Sequence, residues 1–408
     1  MESNAMANHI GIFGLAVLLG LSGGSSIAAE TKYGPGVTDT VVLIGQTNPY
    51  SGPLSSYGTQ GRAETAYYQM INDQGGVNGR KIRLLSLDDG YSPPKTVEQH
   101  RRLVEGDEVL GIVGTMGTPT NSAIVKYLNG KSVPHIFLAS GASKWGDFKS
   151  SPWTMGWYPT YRSEGQIYGA YIRENIKDAK IAVLFQNDDY GKDFVAGFKA
   201  GLGEAADKLI VQELSYEVTE PTIDSQIITL KASGANVLFS ASTAKAAAQA
   251  IKKAAELDWH ATHFLVQNAN SISSVLTAAG LDKSKGIIST AYIKDPADPQ
   301  FADDDGIKWY LAFMKKYYPD GDVNDPQNEI GVSIGATLVQ VLKQCGDDLT
   351  RENLLKQANS IKDLQLPLLL PGIRLNTSTE DHYPIEQLQL VKFDGKTWVR
   401  FGEVLSSH

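Results

Sequence analysis

The side chains best suited to chemistry in this chain are hydroxyls in polar, glycine-rich segments. Thr118 and Thr120 stand at the expected start of a helix, and Ser143 lies in a second such segment. Their hydroxyls, together with the free backbone N–H groups at a helix start, suit a carboxylate. Helix capping explains any one of these residues equally well. Several such segments meeting in one cleft nevertheless favour the binding of an anionic group.

Motifs for catalysis, metals and cofactors do not occur where that chemistry would need them. Gly130-Lys131-Ser132 lacks the first glycine of a phosphate loop. There is no H-E-x-x-H zinc motif and no G-x-G-x-x-G between a strand and a helix. We therefore predict a protein that is not an enzyme and has no cofactor and no metal site. The net charge of -8, with lysines and arginines scattered singly, also argues against a nucleic-acid partner.

The amino-terminal residues 1–29 have the features of a signal peptide. Residues 10–21 form an apolar run too short to span a bilayer, and the small residues 26–29 suit a cleavage site. A buried helix is the alternative, which the glycines of this stretch disfavour. No Lys or Arg precedes the run, which does not fit a signal peptide; Met6 is an alternative native start. We expect export to the periplasm with cleavage near residues 28–29.

From Thr40 onward, short aliphatic runs alternate with amphipathic stretches, as is typical of βαβ units. The predicted strands are Val41–Gly45, Ile82–Asp88, Val109–Val113, His135–Ala139, Ile181–Gln186, Leu209–Tyr216, Val237–Ser240, His263–Val266 and Gly286–Ala291. The predicted helices are Ser56–Gln74, Pro94–Glu105, Asn121–Gly130, Arg162–Asn175, Lys192–Ala206, Ile223–Ser233, Thr243–Leu257 and Ser271–Ala279. The pattern predicts an α/β fold with two Rossmann-like lobes, each built on a parallel central sheet.

After Ala291 this alternation ends. Helices Asp303–Tyr318, Asn328–Gln344 and Thr350–Gln357 follow without intervening strands, and a hairpin of Glu386–Phe393 and Thr397–Phe401 turns at Asp394-Gly395. Cys345 is the only cysteine, which excludes an intramolecular disulfide.

Five polar or glycine-rich loops follow the predicted strands. They are Tyr50–Pro53 with Tyr57, Thr115–Thr120, Ser140–Ser143, Asn187–Gly191 and Gln267–Asn270. Ligands of open α/β sheets bind at the carboxyl ends of the strands, so these loops are the candidate site.

In the order and spacing of several motifs the chain resembles the branched-chain amino-acid (Leu/Ile/Val) binding proteins, type I periplasmic solute-binding proteins of ABC transporters. The motifs are Ser51-Gly52-Pro53-Leu54, Gln74-Gly75-Gly76-Val77-Asn78-Gly79-Arg80, Asp88-Asp89, Ile112-Val113-Gly114, Ser140-Gly141-Ala142 and Asp188-Asp189-Tyr190-Gly191-Lys192. The resemblance implies two lobes joined by a hinge that the chain crosses three times. Lobe 1 would comprise residues 39–157 and 289–366, and lobe 2 residues 158–288 and 367–403. It also implies a protein that captures its ligand by hinge closure and delivers it to ABC permease subunits in the inner membrane. We expect a monomer.

The resemblance also implies how the site is built. In the family, the segments matching Met116–Thr120 and Gly141–Ser143 hold the ligand carboxylate, and a tyrosine matching Tyr190 joins from the second lobe. The family places an acid for the ligand ammonium where this chain has Gln267–Asn270, and an aromatic where it has Ser242-Thr243. An ammonium buried without an opposite charge costs several kcal/mol. A zwitterionic amino acid is therefore disfavoured, unless Asp188, Asp189 or Glu164 turns inward.

Aromatic residues are dense near the expected cleft. They are Tyr50, Tyr57, Trp145, Trp153, Trp157, Tyr158 and Tyr161. Packing at the hinge explains each of them at least as well as ligand contact, but the set suits a flat apolar ligand. Arg162 adds a possible fork for a carboxylate, although a surface position is the default for an arginine.

Together these residues predict a small carboxylate as ligand. The resemblance implies that it could be an aromatic acid, since some members of the family take up benzoate-like or phenylpropenoate-like compounds, and the dense aromatic residues favour that choice. The predicted ligand-binding residues are Tyr57, Met116, Thr118, Thr120, Gly141, Ala142, Ser143, Trp157, Tyr161, Arg162, Tyr190, Ser242, Gln267 and Asn268. A branched-chain or other amino-acid binder is one alternative. A ligand-sensing receptor or regulator domain, which shares this fold, is the alternative from another class.

Overall fold

Three sheets organise the part of the chain that the computed structural model describes, residues 32–406. In chain order, its strands are Lys32–Tyr33 (β1), Val41–Asn48 (β2), Lys81–Asp88 (β3), Ile112–Val113 (β4), His135–Leu138 (β5), Thr154–Gly156 (β6), Ile181–Gln186 (β7), Ile210–Tyr216 (β8), Val237–Ala241 (β9), Thr262–Leu265 (β10), Ile288–Ala291 (β11), Asp348–Leu349 (β12), Gln387–Phe393 (β13) and Trp398–Ser406 (β14). Its α-helices are Thr59–Asp73 (α1), Pro93–Arg101 (α2), Thr118–Gly130 (α3), Tyr161–Asn175 (α4), Asp189–Leu202 (α5), Ala206–Leu209 (α6), Asp224–Ala232 (α7), Ala244–Glu256 (α8), Thr277–Ala279 (α9), Leu281–Ser284 (α10), Asp305–Tyr317 (α11), Pro326–Cys345 (α12) and Arg351–Ala358 (α13).

The first large sheet has the strand order β3-β2-β4-β5-β6, and every neighbouring pair is parallel. Strands β4 and β5 are buried along their whole length. Parallel strands of this kind are covered by helices on both faces, so they read as continuous apolar runs. Helix α1 packs on β3 and α3 packs on β5.

The second large sheet has the order β14-β13-β11-β10-β9-β7-β8. Strands β7 to β11 pair in parallel, whereas β13 and β14 add antiparallel strands at one edge. The expected hairpin forms because the Asp394 carboxylate accepts from the backbone N–H groups of Lys396 and Thr397, and Gly395 adopts a positive φ of 105°. The prediction of an α/β fold with parallel central sheets is confirmed.

The helices after β11 return to the first sheet. Helix α12 lies so close to α1 that a Cβ at Gly331 would overlap the Gln60 carbonyl. A two-residue strand, β12, interrupts these helices and pairs with β1, so the prediction that no strand intervenes was wrong. The lobe boundaries remain a prediction, although β11 belongs to the second sheet and therefore extends that sheet beyond residue 288.

Helix starts account for other differences from the sequence prediction. Helix α5 begins at Asp189, ahead of the expected Lys192, because the Asp188 carboxylate accepts from the N–H groups of Tyr190 and Gly191. Helix α3 begins at Thr118, ahead of the expected Asn121, with a proline in its first turn. Strand β6 was not predicted, since three residues are too few to show an alternating pattern.

Within residues 32–406, no helix combines the length and the apolar character needed to cross a bilayer. The predicted signal peptide, residues 1–29, lies outside the described residues.

Candidate functional site

Tyr57 connects the loops at the carboxyl ends of the two large sheets. It lies in a short 3-10 helix, Ser55–Gly58, that follows β2. Its hydroxyl donates to the Asn268 carbonyl at 2.9 Å and accepts from the Ala244 N–H at 3.0 Å. These two residues follow β10 and β9 of the second sheet. Burial raises the pKa of Tyr57, so the phenol stays protonated and holds the loops together.

A group of buried hydroxyls lies at the start of α3. Thr118 Oγ1 and Ser140 Oγ are 2.8 Å apart, and Trp145 Nε1 donates to Ser140 Oγ at 2.8 Å. Burial raises the pKa of Tyr161 to about 12, an effect that the Gly141 backbone and the hydroxyls of Ser140 and Thr118 oppose. We call Thr118, Ser140 and Tyr161 the hydroxyl end. Neutral donors beside a helix N-terminus are suited to a carboxylate.

Aromatic rings continue from the hydroxyl end. Tyr161 meets Tyr190 edge-on at 5.0 Å between ring centroids and stacks on Phe194 at 4.5 Å. The Tyr190 hydroxyl donates to the Ser242 carbonyl at 3.1 Å. Because both rings are buried and fixed by these contacts, they form a rigid apolar wall.

Tyr91 is a cleft residue that the sequence prediction missed. It follows β3 with a positive φ of 61°, and its ring lies where a Cβ at Gly117 would be. Burial raises its pKa, with the charge of Asp188 as the next cause and the Gln186 amide opposing both. Asp188 and Gln186 are at the end of β7, so Tyr91 reaches across to the second sheet. The sequence signal that could have revealed Tyr91 is an aromatic residue in the loop that follows a parallel strand.

Two predicted ligand hydroxyls are used by the protein itself. Thr120 Oγ1 donates to the carbonyls of Met116 and Gly117, at 2.5 and 3.0 Å, so it bonds back to the residues before it and does not cap the helix, whose N-cap residue is Gly117. Ser143 donates from Oγ to Asp193 Oδ1 and from its backbone N to Asp193 Oδ2, both at 2.7 Å. In this structure Thr120 thus supports its own helix start and Ser143 links a first-sheet loop to α5; ligand contact by either residue stays a prediction.

Arg162 also departs from the predicted role. Its side chain is exposed, and it lines a shallow outer pocket with Thr160, Gln166 and Tyr383. The Arg162 guanidinium therefore does not point into the interior, where it could bind a carboxylate.

The other predicted residues occupy the interior between the two sheets. Met116 is buried and its N–H donates to the Thr47 carbonyl, and Trp157 Nε1 donates to Thr337 Oγ1 at 3.0 Å. A Cβ at Gly141 would overlap the Pro159 carbonyl, so this position requires glycine. The remaining three residues, Ala142, Ser242 and Gln267, are also buried. Ser242 Oγ is hydrogen-bonded to Ser240 Oγ, and the Gln267 N–H donates to the Glu164 carboxylate.

The three acids considered as partners for an ammonium are occupied by protein groups. Glu164 accepts from the Gln267 N–H at 2.7 Å and the Tyr168 hydroxyl at 2.8 Å, and burial raises its pKa to about 7. Asp188 caps α5, and Asp189 pairs with Lys144 at 2.5 Å. Among residues 32–406, no group of three or more His, Cys, Asp or Glu side chains is arranged to hold a metal ion.

A pocket opens beside this interior where the chain leaves β11. Its lining includes Gln267, Asn270, Tyr292, Lys294, Asn324 and Glu329. We call it the hinge pocket. Glu329 is 1% exposed, and within residues 32–406 its Oε1 has no hydrogen-bond partner. Burial raises the pKa of Tyr292, and a hydrogen bond with the Gln267 side chain opposes this effect. Sequence reasoning missed Glu329, because an acid in the first turn of a helix ordinarily just complements the helix dipole.

Comparisons with known proteins match this geometry. The profile of one family, described as periplasmic binding protein, matches residues 41–397. A Leu/Ile/Val-binding protein homolog 1 of Brucella abortus (strain 2308) is 26% identical over 289 residues, which cover 68% of this chain and 73% of that protein. The predicted family resemblance is thereby confirmed.

Solved structures show the same fold. A branched chain amino acid ABC transporter protein from Thermus thermophilus with bound valine superimposes with a TM-score of 0.81 at 18% identity, covering 91% of this chain and 98% of that one. A solute binding protein of an ABC transporter from R. palustris in complex with benzoate gives a TM-score of 0.75 at 20% identity, covering 90% and 98%. One fold therefore serves ligands with and without an amine.

Proposed function

We propose, on the premise that the chain belongs to the periplasmic binding protein family, that it captures a small carboxylate with a flat aromatic body. The observation that supports this most directly is the hydroxyl end beside the wall of Tyr161 and Tyr190. The chain is a solute-binding protein of an ABC transporter and not an enzyme, as predicted.

The carboxylate of the ligand is held by neutral donors in this proposal. Thr118, Ser140 and the backbone N–H groups at the start of α3 surround one end of the cleft. Neutral donors stabilise an anion without the free-energy cost of burying a cationic side chain, and the dipole of α3 stabilises the anion further.

The aromatic body of the ligand lies against the rings. The rings of Tyr161 and Tyr190 meet edge to face, and an aromatic ligand would pack against both. Each aromatic pair of this kind adds about 0.5–1.5 kcal/mol to the binding free energy beyond the contribution of the buried area. A protein of the same fold from R. palustris was solved in complex with benzoate, which supports an aromatic acid as a ligand for this fold.

Hinge closure completes the site. The contact of Tyr57 with Asn268 joins a first-sheet loop to a second-sheet loop, and the contact of Ser143 with Asp193 joins another first-sheet loop to α5. Contacts across the cleft of this kind stabilise the closed arrangement that we propose is presented to the permease subunits. The periplasmic location and the monomeric state belong to the same proposal.

A thermal-shift panel tests the ligand class. A ligand that binds only the folded chain raises the free energy of unfolding by about 2.7 kcal/mol at a hundredfold excess over its Kd. We expect benzoate-like or phenylpropenoate-like acids to give the large shifts. Large shifts with leucine, isoleucine and valine, and none with any aromatic compound, would refute the aromatic assignment.

A branched-chain amino acid is the second candidate. The naming of the Brucella relative and the valine in the Thermus thermophilus protein favour it. It requires an acid for the ligand ammonium, and the hinge pocket contains one.

A further inference from the structure

Asn121 ties the start of α3 to the loop that precedes this helix. Its Nδ2 donates to the Thr115 carbonyl at 2.9 Å and to the Gly117 carbonyl at 2.6 Å. Gly117 has a positive φ of 102° and comes directly before Thr118, the first residue of α3. Asn121 therefore fixes the backbone from which Thr118 reaches the hydroxyl end.

A buried histidine holds the Asn121 amide in this orientation. Because Asn121 Nδ2 faces two carbonyls, its Oδ1 is left to accept from His135 Nε2 at 2.7 Å. The other ring nitrogen, His135 Nδ1, accepts from Thr154 Oγ1 at 3.5 Å, and Thr154 Oγ1 accepts from Asn129 Nδ2 at 2.8 Å. Each donor in this series thus points toward Asn121. We call Asn129, Thr154, His135 and Asn121 the His135 network.

A second histidine supports the same loop. His100 Nδ1 donates to the Thr96 carbonyl at 2.9 Å, which leaves its Nε2 to accept from Thr115 Oγ1 at 3.3 Å. Burial lowers the pKa of His100 to about 4, and burial together with the charge of His100 lowers the pKa of His135. Both rings are therefore neutral near pH 7, and each offers one donor and one acceptor.

The His135 network lies directly behind the donors proposed for the ligand carboxylate. The first N–H groups of a helix have no partner within that helix, so those of α3 are left for a ligand. The Gly117 carbonyl and the Thr118 N–H belong to one peptide unit, and the hydrogen bond from Asn121 polarises this unit. Asn121, His135 and Thr154 are fully buried, and a buried network whose groups are bonded to one another is rigid.

We propose that Asn121 and His135 are positioning residues for the carboxylate: they set the direction and strength of the Thr118 donors without touching the ligand. This inference rests on the proposed carboxylate site at the start of α3. Affinity for an anionic head group would then depend on side chains that lie one layer behind the cleft.

The test compares each of two acids with its own amide, by calorimetry on the full chain: benzoate with benzamide, and valine with valinamide. His135→Leu removes the donor to Asn121, whereas His135→Gln keeps an amide N–H for the same acceptor. We expect His135→Leu to weaken an acid about tenfold and its amide at most about threefold, because hydrogen bonds to charged acceptors are about twice as strong. His135→Gln should restore the affinity for the acid to within about twofold of wild type.

His263→Leu is the matched control. His263 is also buried, and burial also lowers its pKa to about 4, but it lies on β10 of the second sheet. This variant should leave the affinity for all four compounds unchanged. Where thermal unfolding shows that His135→Leu does not fold, Asn121→Ala takes its place, since it removes the bonds to the Thr115 and Gly117 carbonyls directly.

The two proposals fail separately in this design. Equal losses for acid and amide, an unchanged affinity in His135→Leu, or no restoration by His135→Gln overturns the positioning role and leaves the carboxylate site in place. If neither acid binds to wild type, the carboxylate site is overturned and the positioning role with it. If valine binds and benzoate does not, the aromatic body is overturned, and the losses for valine and valinamide still decide the role of His135.

Discussion

The hydroxyl end and the hinge pocket are both buried and polar, yet they differ in how far the protein satisfies its own groups. Thr118 and Ser140 are bonded to each other, and Ser140 also to Trp145. In the hinge pocket, the buried Glu329 Oε1 has no hydrogen-bond partner within residues 32–406, and burial raises the pKa of this acid. The first region therefore holds its polar groups in fixed positions, whereas the second holds a buried acid that favours its neutral form.

Removal of the hydroxyl end should have the largest effect. Thr118→Val deletes a hydrogen bond to a charged group, worth about 1.5–3 kcal/mol, so we expect affinity to fall roughly 10- to 100-fold. The loss should be equal for ligands with and without an amine. Calorimetry with phenylalanine and 3-phenylpropionate measures this, and an undiminished affinity for both would remove Thr118 from the site.

Weakening the link between the loops should have a smaller effect. Asp193→Asn leaves the two donors of Ser143 with one good acceptor, so the closed arrangement loses part of one hydrogen bond across the cleft. We expect a loss of affinity of about three- to tenfold for every ligand, expressed mainly as faster dissociation. Stopped-flow measurements test this; a change restricted to amine-bearing ligands would contradict a role in closure.

The smallest effect is expected at Arg162. Its exposed guanidinium lies outside the interior, so Arg162→Ala should alter affinity by less than about twofold. A large loss for all carboxylates would show that the arginine turns inward when ligand binds, and it would restore the fork that the sequence suggested.

Much of the fold followed from local sequence patterns. Strand β7 and the hairpin at Asp394 were predicted closely, because aliphatic runs and an Asp-Gly turn are local signals. Helix starts shifted where capping decided them, as at Asp188. Tyr57, Tyr161 and Tyr190 were also predicted from their loops, and the structure brings them together.

The roles of other polar residues could not be read in the same way. Thr118 and Thr120 look alike in the sequence, but only Thr120 donates to carbonyls of its own turn. Ser143 meets Asp193, which is 50 residues away along the chain. Tyr91 and Glu329 carried no motif, since their positions depend on which loops and helices pack together.

The sequence by itself determined the class of protein, the order of its strands and helices, and the loops that follow the parallel strands. Composition and hydrophobic periodicity are local properties of the sequence, so they can be read without knowing which elements pack together. Only the tertiary structure decided which polar groups are satisfied by the protein and which are left for a ligand. Helix α12 brings Glu329 to the hinge pocket from 59 residues beyond Asn270 in the printed chain. The effect of a buried acid can be judged only when its neighbours in space are known.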